Sequence, residues 1–337
     1  FGTDHALGER WNAHFDPHPV ELHVPDQEPG ESVATRALTG RVIEAVADLR
    51  ENVLTGDADL AGSTKTSIGF AADFAADEPT GRNVRYGVRE HGMGSIVNGV
   101  NLHGGLRAFG STFLTFSDYM RGAVRLGALM GTPSIWVWSH DSVFLGEDGP
   151  THQPVEHIAA LRAIPNLWVM RPGSPREVTG AWQVALNPTT GPTALILSRQ
   201  GVEGPERDVS PGEVEKGGYV LRDGTDAVLV ATGSEVPLAL GAADVLAGRG
   251  HSVRVVSMPC VEAFVAAGDA YRNEVLGDVP AISLEAGVTF GWAEIVGHDG
   301  LKIGIDHFGA SAPAKVIAEQ YGFTPGAVAD RVQEWLS

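Results

Sequence analysis

Cysteine is nearly missing: the 337 residues contain one, Cys260. A single thiol excludes an internal disulfide framework and any cysteine-based zinc cluster. Positive charge is scarce as well, with 24 lysines and arginines against 42 aspartates and glutamates and a formal net charge of −18. So acidic a chain offers no basic face to a nucleic acid, although a small phosphorylated ligand needs only a few cations in one pocket. The uncharged apolar stretch near the middle, Leu126 to Ser139, falls short of the ~20 residues of a membrane helix and is broken by Gly131 and Pro133. No charged-then-apolar signal follows Phe1, and there is no Walker loop, dinucleotide fingerprint or nucleophile elbow. The expectation is a soluble, cytoplasmic, acidic globular protein that partners neither nucleic acid nor membrane.

What is present is enough apolar residue, 43%, to fill two cores at roughly 100–200 residues per domain. Residues 1–31 carry His, Pro, Asp and Glu without a sustained period and read as an extended lead-in. Val33, Leu38, Val42, Ile43, Val46 and Leu49 recur mostly at helical spacing. Short apolar strands follow around 52–56, 84–88, 135–138, 167–170 and 194–197, with helical patterns between them. The alternation predicts a mostly parallel sheet with helices on both faces. Residues 201–215 lose the pattern and read as a linker. A second alternation then runs to the end. The fold class is therefore α/β, two consecutive domains with mostly parallel sheets, at 32–200 and 216–337.

Five segments resist a purely structural explanation. Gly56-Asp57-Ala58-Asp59-Leu60-Ala61-Gly62-Ser63 and Arg89-Glu90-His91-Gly92-Met93-Gly94 each follow a strand. A glutamate at the second could equally be a dipole partner at a helix N-terminus. In Thr112-Phe113-Leu114-Thr115-Phe116-Ser117-Asp118-Tyr119 the aromatics lie three apart, so on a helix turn they share a face, for which core packing is the ordinary explanation. Ser139-His140-Asp141-Ser142 precedes Gly146-Glu147-Asp148-Gly149-Pro150-Thr151-His152-Gln153-Pro154, a loop dense in acids and histidines. Ser198-Arg199-Gln200 offers a guanidinium fork suited to phosphate. All sit at or just past strand C-termini of the first domain, where open α/β sheets bind ligands. His152, Glu156 and His157 fit no zincin spacing, and no metal ligand is assigned to this chain.

Together these segments resemble the C-terminal half of a transketolase, from about Ala34 to Ser337. Ser283-Leu284-Glu285-Ala286-Gly287 and Gly304-Ile305-Asp306-His307-Phe308-Gly309-Ala310-Ser311-Ala312-Pro313 extend the match through the last domain. Arg89–Gly94 and Gly146–Pro154 are the segments that separate transketolases from their thiamine-dependent relatives. The resemblance implies a pyrimidine-binding domain followed by a transketolase C-terminal domain of mostly structural role. It further implies transfer of a two-carbon ketol unit from a ketose phosphate to an aldose on thiamine diphosphate. Glu90 resembles the glutamate that hydrogen-bonds the aminopyrimidine N1′, and Phe113, Phe116 and Tyr119 the aromatic pocket for that ring. Asp59 is similar to an acid near the cofactor. His152 and Asp148 match groups that hold the hydroxyls of the donor sugar and, with Glu90, form the implied catalytic set. Arg36, Ser63, His140 and Arg199 match the substrate phosphate site.

The chain departs from the family pattern at Asp57, Thr64 and Phe144, where a small neutral residue, Asn and Gly are usual, and at Gly201-Val202-Glu203 after Gln200. It has no Gly-Asp-Gly followed by an Asn metal ligand, the part that anchors the cofactor diphosphate through Mg²⁺. The expectation is the smaller subunit of a split transketolase, inactive without an N-terminal, diphosphate-binding partner that carries the Mg²⁺ ligands. The pair would form a heterotetramer of two of each. The alternatives are a fragment of a single-chain transketolase and a non-catalytic regulatory subunit of the same fold.

Overall fold

The computed structural model describes residues 5–15, 20–23, 31–187, 190–204 and 209–337. In chain order its strands are β1 (Ser32–Ala34), β2 (Val53–Asp57), β3 (Asn83–Arg85), β4 (Arg107–Phe113), β5 (Ile135–Ser139), β6 (Trp168–Met170) and β7 (Thr193–Leu197). They continue with β8 (Gly201–Glu203), β9 (Tyr219–Arg222), β10 (Ala227–Ala231), β11 (Val253–Ser257), β12 (Ala281–Leu284) and β13 (Leu301–Ile303). The first sheet has the order β3-β2-β4-β5-β7-β6 and is parallel throughout. The second has the order β13-β12-β10-β11-β9, with β9 its antiparallel edge. β1 and β8 form a small antiparallel ribbon. The mostly parallel, two-sheet α/β expectation holds.

Parallel strands need helical crossovers, and helices on both faces leave no face for water. β5, β7 and β10 are accordingly buried at every position. Trp136 and Trp138 point to one side of the first sheet, with Met93, Val97 and Leu161. Ile135 and Val137 point to the other, with Leu38, Ile43 and Trp182. The helix Glu90–His103 lies close against β4 because Gly110 has no side chain: a Cβ there would come to 3.0 Å from the Met93 side chain.

Three local expectations are corrected. The lead-in is not wholly extended, since His5–Phe15 is helical. Leu7, Trp11 and Phe15 do recur every four residues, too few to establish a period; the Trp11 and Phe15 rings pair at 5.2 Å within the helix, and Phe15 lies over Gly104 and Gly105 in the fold. The linker stretch is not patternless: β8 pairs with β1, and Pro211–Glu215 forms a short helix under a Ser210–Glu213 capping box. The 112–119 aromatics do not share one helix. Phe113 closes β4, Phe116 sits in a 3₁₀ turn and Tyr119 belongs to the helix Ser117–Met130. No helix among the described residues is long and apolar enough to cross a membrane.

The two sheets are joined through buried charge. Arg171, fully buried just after β6, donates Nε and Nη2 to one oxygen of Asp141 at 3.1 and 2.8 Å and Nη1 to Glu235. Glu285 accepts both arms of Arg162 at 2.7 and 2.9 Å and the Trp292 indole N–H at 2.8 Å. Burial works against the charge of Arg171, yet Glu235, Asp141 and Glu285 together hold its pKa above the ordinary arginine value. Beside it Glu177, whose pKa is raised by burial, accepts from Tyr219 and Ser257 across the same junction. Phe144 adds an apolar contact. Its ring meets Phe323 edge-on at 5.5 Å, with Val143 and Val155 in the same cluster as the second domain's Ile303 and Val328. Phe144→Ala is expected to cost ~3–5 kcal/mol in urea unfolding. A loss within ~0.5 kcal/mol, typical of a surface change, would show that the ring contributes nothing to the junction.

Candidate active site

Register assembles the site. Phe113 of β4 is level with Ser139 of β5, and Ser139 with Leu197 of β7. His140 must therefore emerge beside Phe113, and Ser198-Arg199 beside His140. They do so near the point where the strand order reverses around β2, the usual ligand crevice of an open α/β sheet.

The first result is a ladder of rings. His140 stacks on Phe113 at 3.7 Å, Phe113 on Phe116 at 5.7 Å and Phe116 on Tyr119 at 6.0 Å, while His152 meets Phe116 edge-on at 5.4 Å. Phe116 and Tyr119 form one wall of an open hollow whose other wall is Val88–Gly92. Glu90 opens the helix there. It is 7% exposed, and its carboxylate accepts no hydrogen bond from any described residue. A buried acid without a protein donor, beside aromatic faces, suits a flat ring that carries a protonated nitrogen.

The second result is a small basic cluster. Arg36 donates to the Ser63 carbonyl, and burial, then the nearby Arg199, lowers its pKa. Ser198 and Thr35 exchange hydrogen bonds at 2.7 and 3.1 Å, which places the residues after them, Arg199 and Arg36, side by side. His140 joins them. Its pKa is driven down to about 3, first by burial and then by Arg36, Arg199 and His152. A neutral imidazole and two guanidiniums make a local site for an anion in an acidic protein.

Asp59 and Ser63 ride on the turn after β2. Asp57 builds that turn: Oδ1 accepts from the Leu60 and Ala61 N–H at 2.8 and 3.0 Å, and Oδ2 from Arg85 at 3.0 Å. The acid that departs from the family pattern thus has a structural task, as does Thr64, whose hydroxyl lies 2.8 Å from that of Thr66. Asp59 and Asp148 are exposed, and no hydrogen bond or ring contact joins either to the ladder among the described residues. Gln153 was not foreseen as a site residue, although its motif was. Its buried amide donates to the Val143, Gly146 and Ala310 carbonyls at 2.9–3.1 Å and so staples the 143–153 loop to the second domain. Arg171 and Glu235 went unnoticed, although Arg171-Pro172-Gly173-Ser174 and Thr232-Gly233-Ser234-Glu235 each follow a strand as the five segments do.

His157 pairs with Asp118 and Glu156 rather than with His152. Its Nε2 faces Asp118 at 3.3 Å and its Nδ1 faces Glu156 at 3.7 Å. One ligand atom from each of Asp118, Glu156 and His157 lies within 4.8 Å of the others, so these three, without His152, are the group whose spacing could hold a metal ion among the described residues.

Residues 31–204 match the family model for the transketolase pyrimidine-binding domain, and residues 217–324 that for the transketolase-like C-terminal domain. The chain belongs to the transketolase family. It is 49% identical to the transketolase of Aquifex aeolicus over 315 residues, which span 91% of this chain and 46% of that protein. For the Bacillus subtilis transketolase the figures are 47% over 327 residues, 94% and 49%. The chain thus spans about half the length of these relatives. The transketolase structure from Leishmania mexicana superposes with a TM-score of 0.92 at 42% identity, over 98% of this chain and 50% of that one. A structure described as a split gene transketolase, inactive beta4 tetramer, matches with a TM-score of 0.72 at 25% identity, over 90% of this chain and 98% of that one. The chain's two matched domains correspond to the C-terminal half of these longer relatives.

The depressed pKa of His140 has a consequence for stability. Unfolded, the ring takes up its proton near pH ~6.5; folded, it stays neutral down to about 3. Between those values the unfolded state binds more protons, so this contribution is complete above the upper value and drains away as pH falls. His140→Gln should therefore flatten the loss of stability between pH ~6.5 and ~4. Identical pH–stability curves for parent and variant would contradict the assignment.

Proposed function

We propose that the chain is the pyrimidine-side half of a working transketolase, completed by a half that binds the cofactor diphosphate and Mg²⁺. The reaction is reversible transfer of a two-carbon ketol unit from a ketose phosphate to an aldose. Thiamine diphosphate, when bound, supplies the carbon nucleophile that takes up and passes on that unit. The residues present fit its aminopyrimidine. Glu90 is the observation that carries the reading, an acid that is 7% exposed as a residue and lines the mouth of an aromatic hollow without a hydrogen bond from a described residue.

Glu90 would share a proton with the ring nitrogen N1′ and so make the neighbouring amino group a better base. Phe113, Phe116 and Tyr119 would hold the ring by its faces, a large contact area at little entropic cost. His152 and Asp148 would orient hydroxyls of the donor sugar, and Asp59 would act near the cofactor. Arg36, Arg199, Ser63 and neutral His140 would grip the substrate phosphate, and bidentate guanidiniums set its direction.

Two observations support a partner half. The sequence has no Gly-Asp-Gly segment to anchor a diphosphate. Val88 and Tyr119, which line the hollow with Glu90, are 74 and 68% exposed, apolar surface that a partner half would cover. The likeness to the split gene transketolase, nearly end to end on that chain, supports a separate partner chain; the assembly we propose holds two of each.

The purified chain with thiamine diphosphate and Mg²⁺ should therefore turn over no ketose phosphate; turnover in that mixture would sink the two-part reading. In the reconstituted assembly, Glu90→Gln should slow deuterium exchange at the thiazolium C2 by ~10²–10⁴-fold, the range of general acid–base contributions. Cofactor affinity should fall far less. A helix-dipole role alone would shift stability by ~0.3–1 kcal/mol and leave the exchange rate of the parent unchanged.

A further inference from the structure

We propose that Arg171 is a positioning residue: through Asp141 it fixes His140 in the site, and with Ser234 and Glu235 it extends the second domain's hold to Arg199. What His140 and Arg199 bind rests on the functional reading above; the positioning does not.

His140 has φ +63°, a left-handed backbone that a residue with a side chain adopts at a cost of ~1–2 kcal/mol. Such a conformation persists only where the surroundings overdetermine it. The local bond, from Ser139 Oγ to His140 Nδ1 at 2.9 Å, orients the ring and leaves the backbone unconstrained. The constraint comes from the next residue. Asp141 is buried, and two nitrogens of Arg171 close on its Oδ2.

Arg171 is itself immobilised from the second domain. Its Nη1 donates to the Thr232 carbonyl at 3.2 Å and to Glu235, whose Oε2 also accepts the Ala286 N–H at 2.9 Å. Gly233 lies flat on the side chain, where a Cβ would stand 2.7–2.9 Å from Cγ, Nε and Cζ. The same turn reaches the other cationic residue. Gln200 Nε2 donates to Ser234 Oγ at 2.8 Å, and Ser234 Oγ to Glu235 Oε1 at 2.6 Å. Asp141 and Gln200, each the residue after a member of the basic cluster, thus end on one turn of the other domain.

Cohesion alone does not call for this arrangement. Apolar side chains of similar volume hold buried interfaces as well as ion networks do, or better. What a planar fork adds is direction. Held in this way, His140 stays within stacking distance of Phe113, and Arg199 stays beside Arg36.

The test uses the full chain with Asp141→Asn and Arg171→Lys. His140 ring protons, assigned by their loss in His140→Gln, are displaced by the current of the Phe113 ring 3.7 Å away. In folded Asp141→Asn this displacement should disappear while the His157 signals stay in place. A folded variant with His140 signals unmoved would overturn the proposal, since a merely structural clamp lowers stability without moving the ring. If neither variant folds, Ser234→Ala, which removes one half-buried hydroxyl, is read at the Arg199 Nε–H resonance; movement supports the proposal and constancy overturns it. In the reconstituted assembly, Asp141→Asn should raise KM for a ketose phosphate roughly 10-fold, the scale of one charge-assisted hydrogen bond, with kcat little changed. Displaced His140 signals with an unaltered KM would instead overturn the substrate role of His140 and leave the positioning intact.

Discussion

The guanidinium of Arg171 is the point on which the two domains agree. It stands at the carboxyl edge of one sheet, and its partners come from the site loop and from the second sheet. Two arginines and three carboxylates share the buried junction, with Glu285 at 3.8 Å from Arg171 and in a two-armed pair with Arg162. Removing either arginine would strand carboxylates away from water, and a stranded buried charge costs far more than an exposed pair ever supplies. The junction therefore hangs on its two arginines, and the neighbouring Glu177 hydrogen bonds and the Phe144–Phe323 contact reinforce the same seam.

Within the first domain a single rule, parallel register, does most of the assembly. Because β4, β5 and β7 end level with one another, residues far apart in sequence become neighbours without any side chain having to find them. The rings of Phe113 and His140 touch for this reason. The chemistry then divides into two halves. One is an apolar, aromatic hollow with a lone buried acid, suited to a flat heterocycle. The other is a knot of cations a short way along the same sheet edge, suited to an anion. A substrate with a carbonyl at one end and a phosphate at the other would bridge them.

Most of this was legible in the sequence because polar residues at strand ends have few structural reasons to cluster. Glu90, His140, His152 and Arg199 stood in such places, and the strand-helix alternation located the sheet. The short strands were harder. β9 and β13 have four and three residues, too few to display a period. Gly110 interrupts the apolar reading of β4, and its reason, the close approach of Met93, lies 17 positions back in the chain. The His5–Phe15 helix lays Phe15 over Gly104 and Gly105, a neighbour that no local pattern announces. Arg171 and Glu235 went unread for a related reason. A buried ion network is defined by who meets whom across two domains, and a residue's immediate neighbours say nothing of that.

The β1–β8 ribbon and the Thr35–Ser198 bonds beside it make a neck. Through it the chain enters the first domain and leaves it again, 163 residues later. Arg36 and Arg199 sit on the two sides of that neck. During synthesis the first arginine must wait for nearly the whole domain before the second arrives, and the loop that closes is among the longest the domain can form. Contacts of such separation come late in folding. The corner where the two arginines meet therefore reports completion of the domain. A chain that stops short of the neck, or folds with it unlatched, can keep much of its sheet and still lack the place where two positive charges meet.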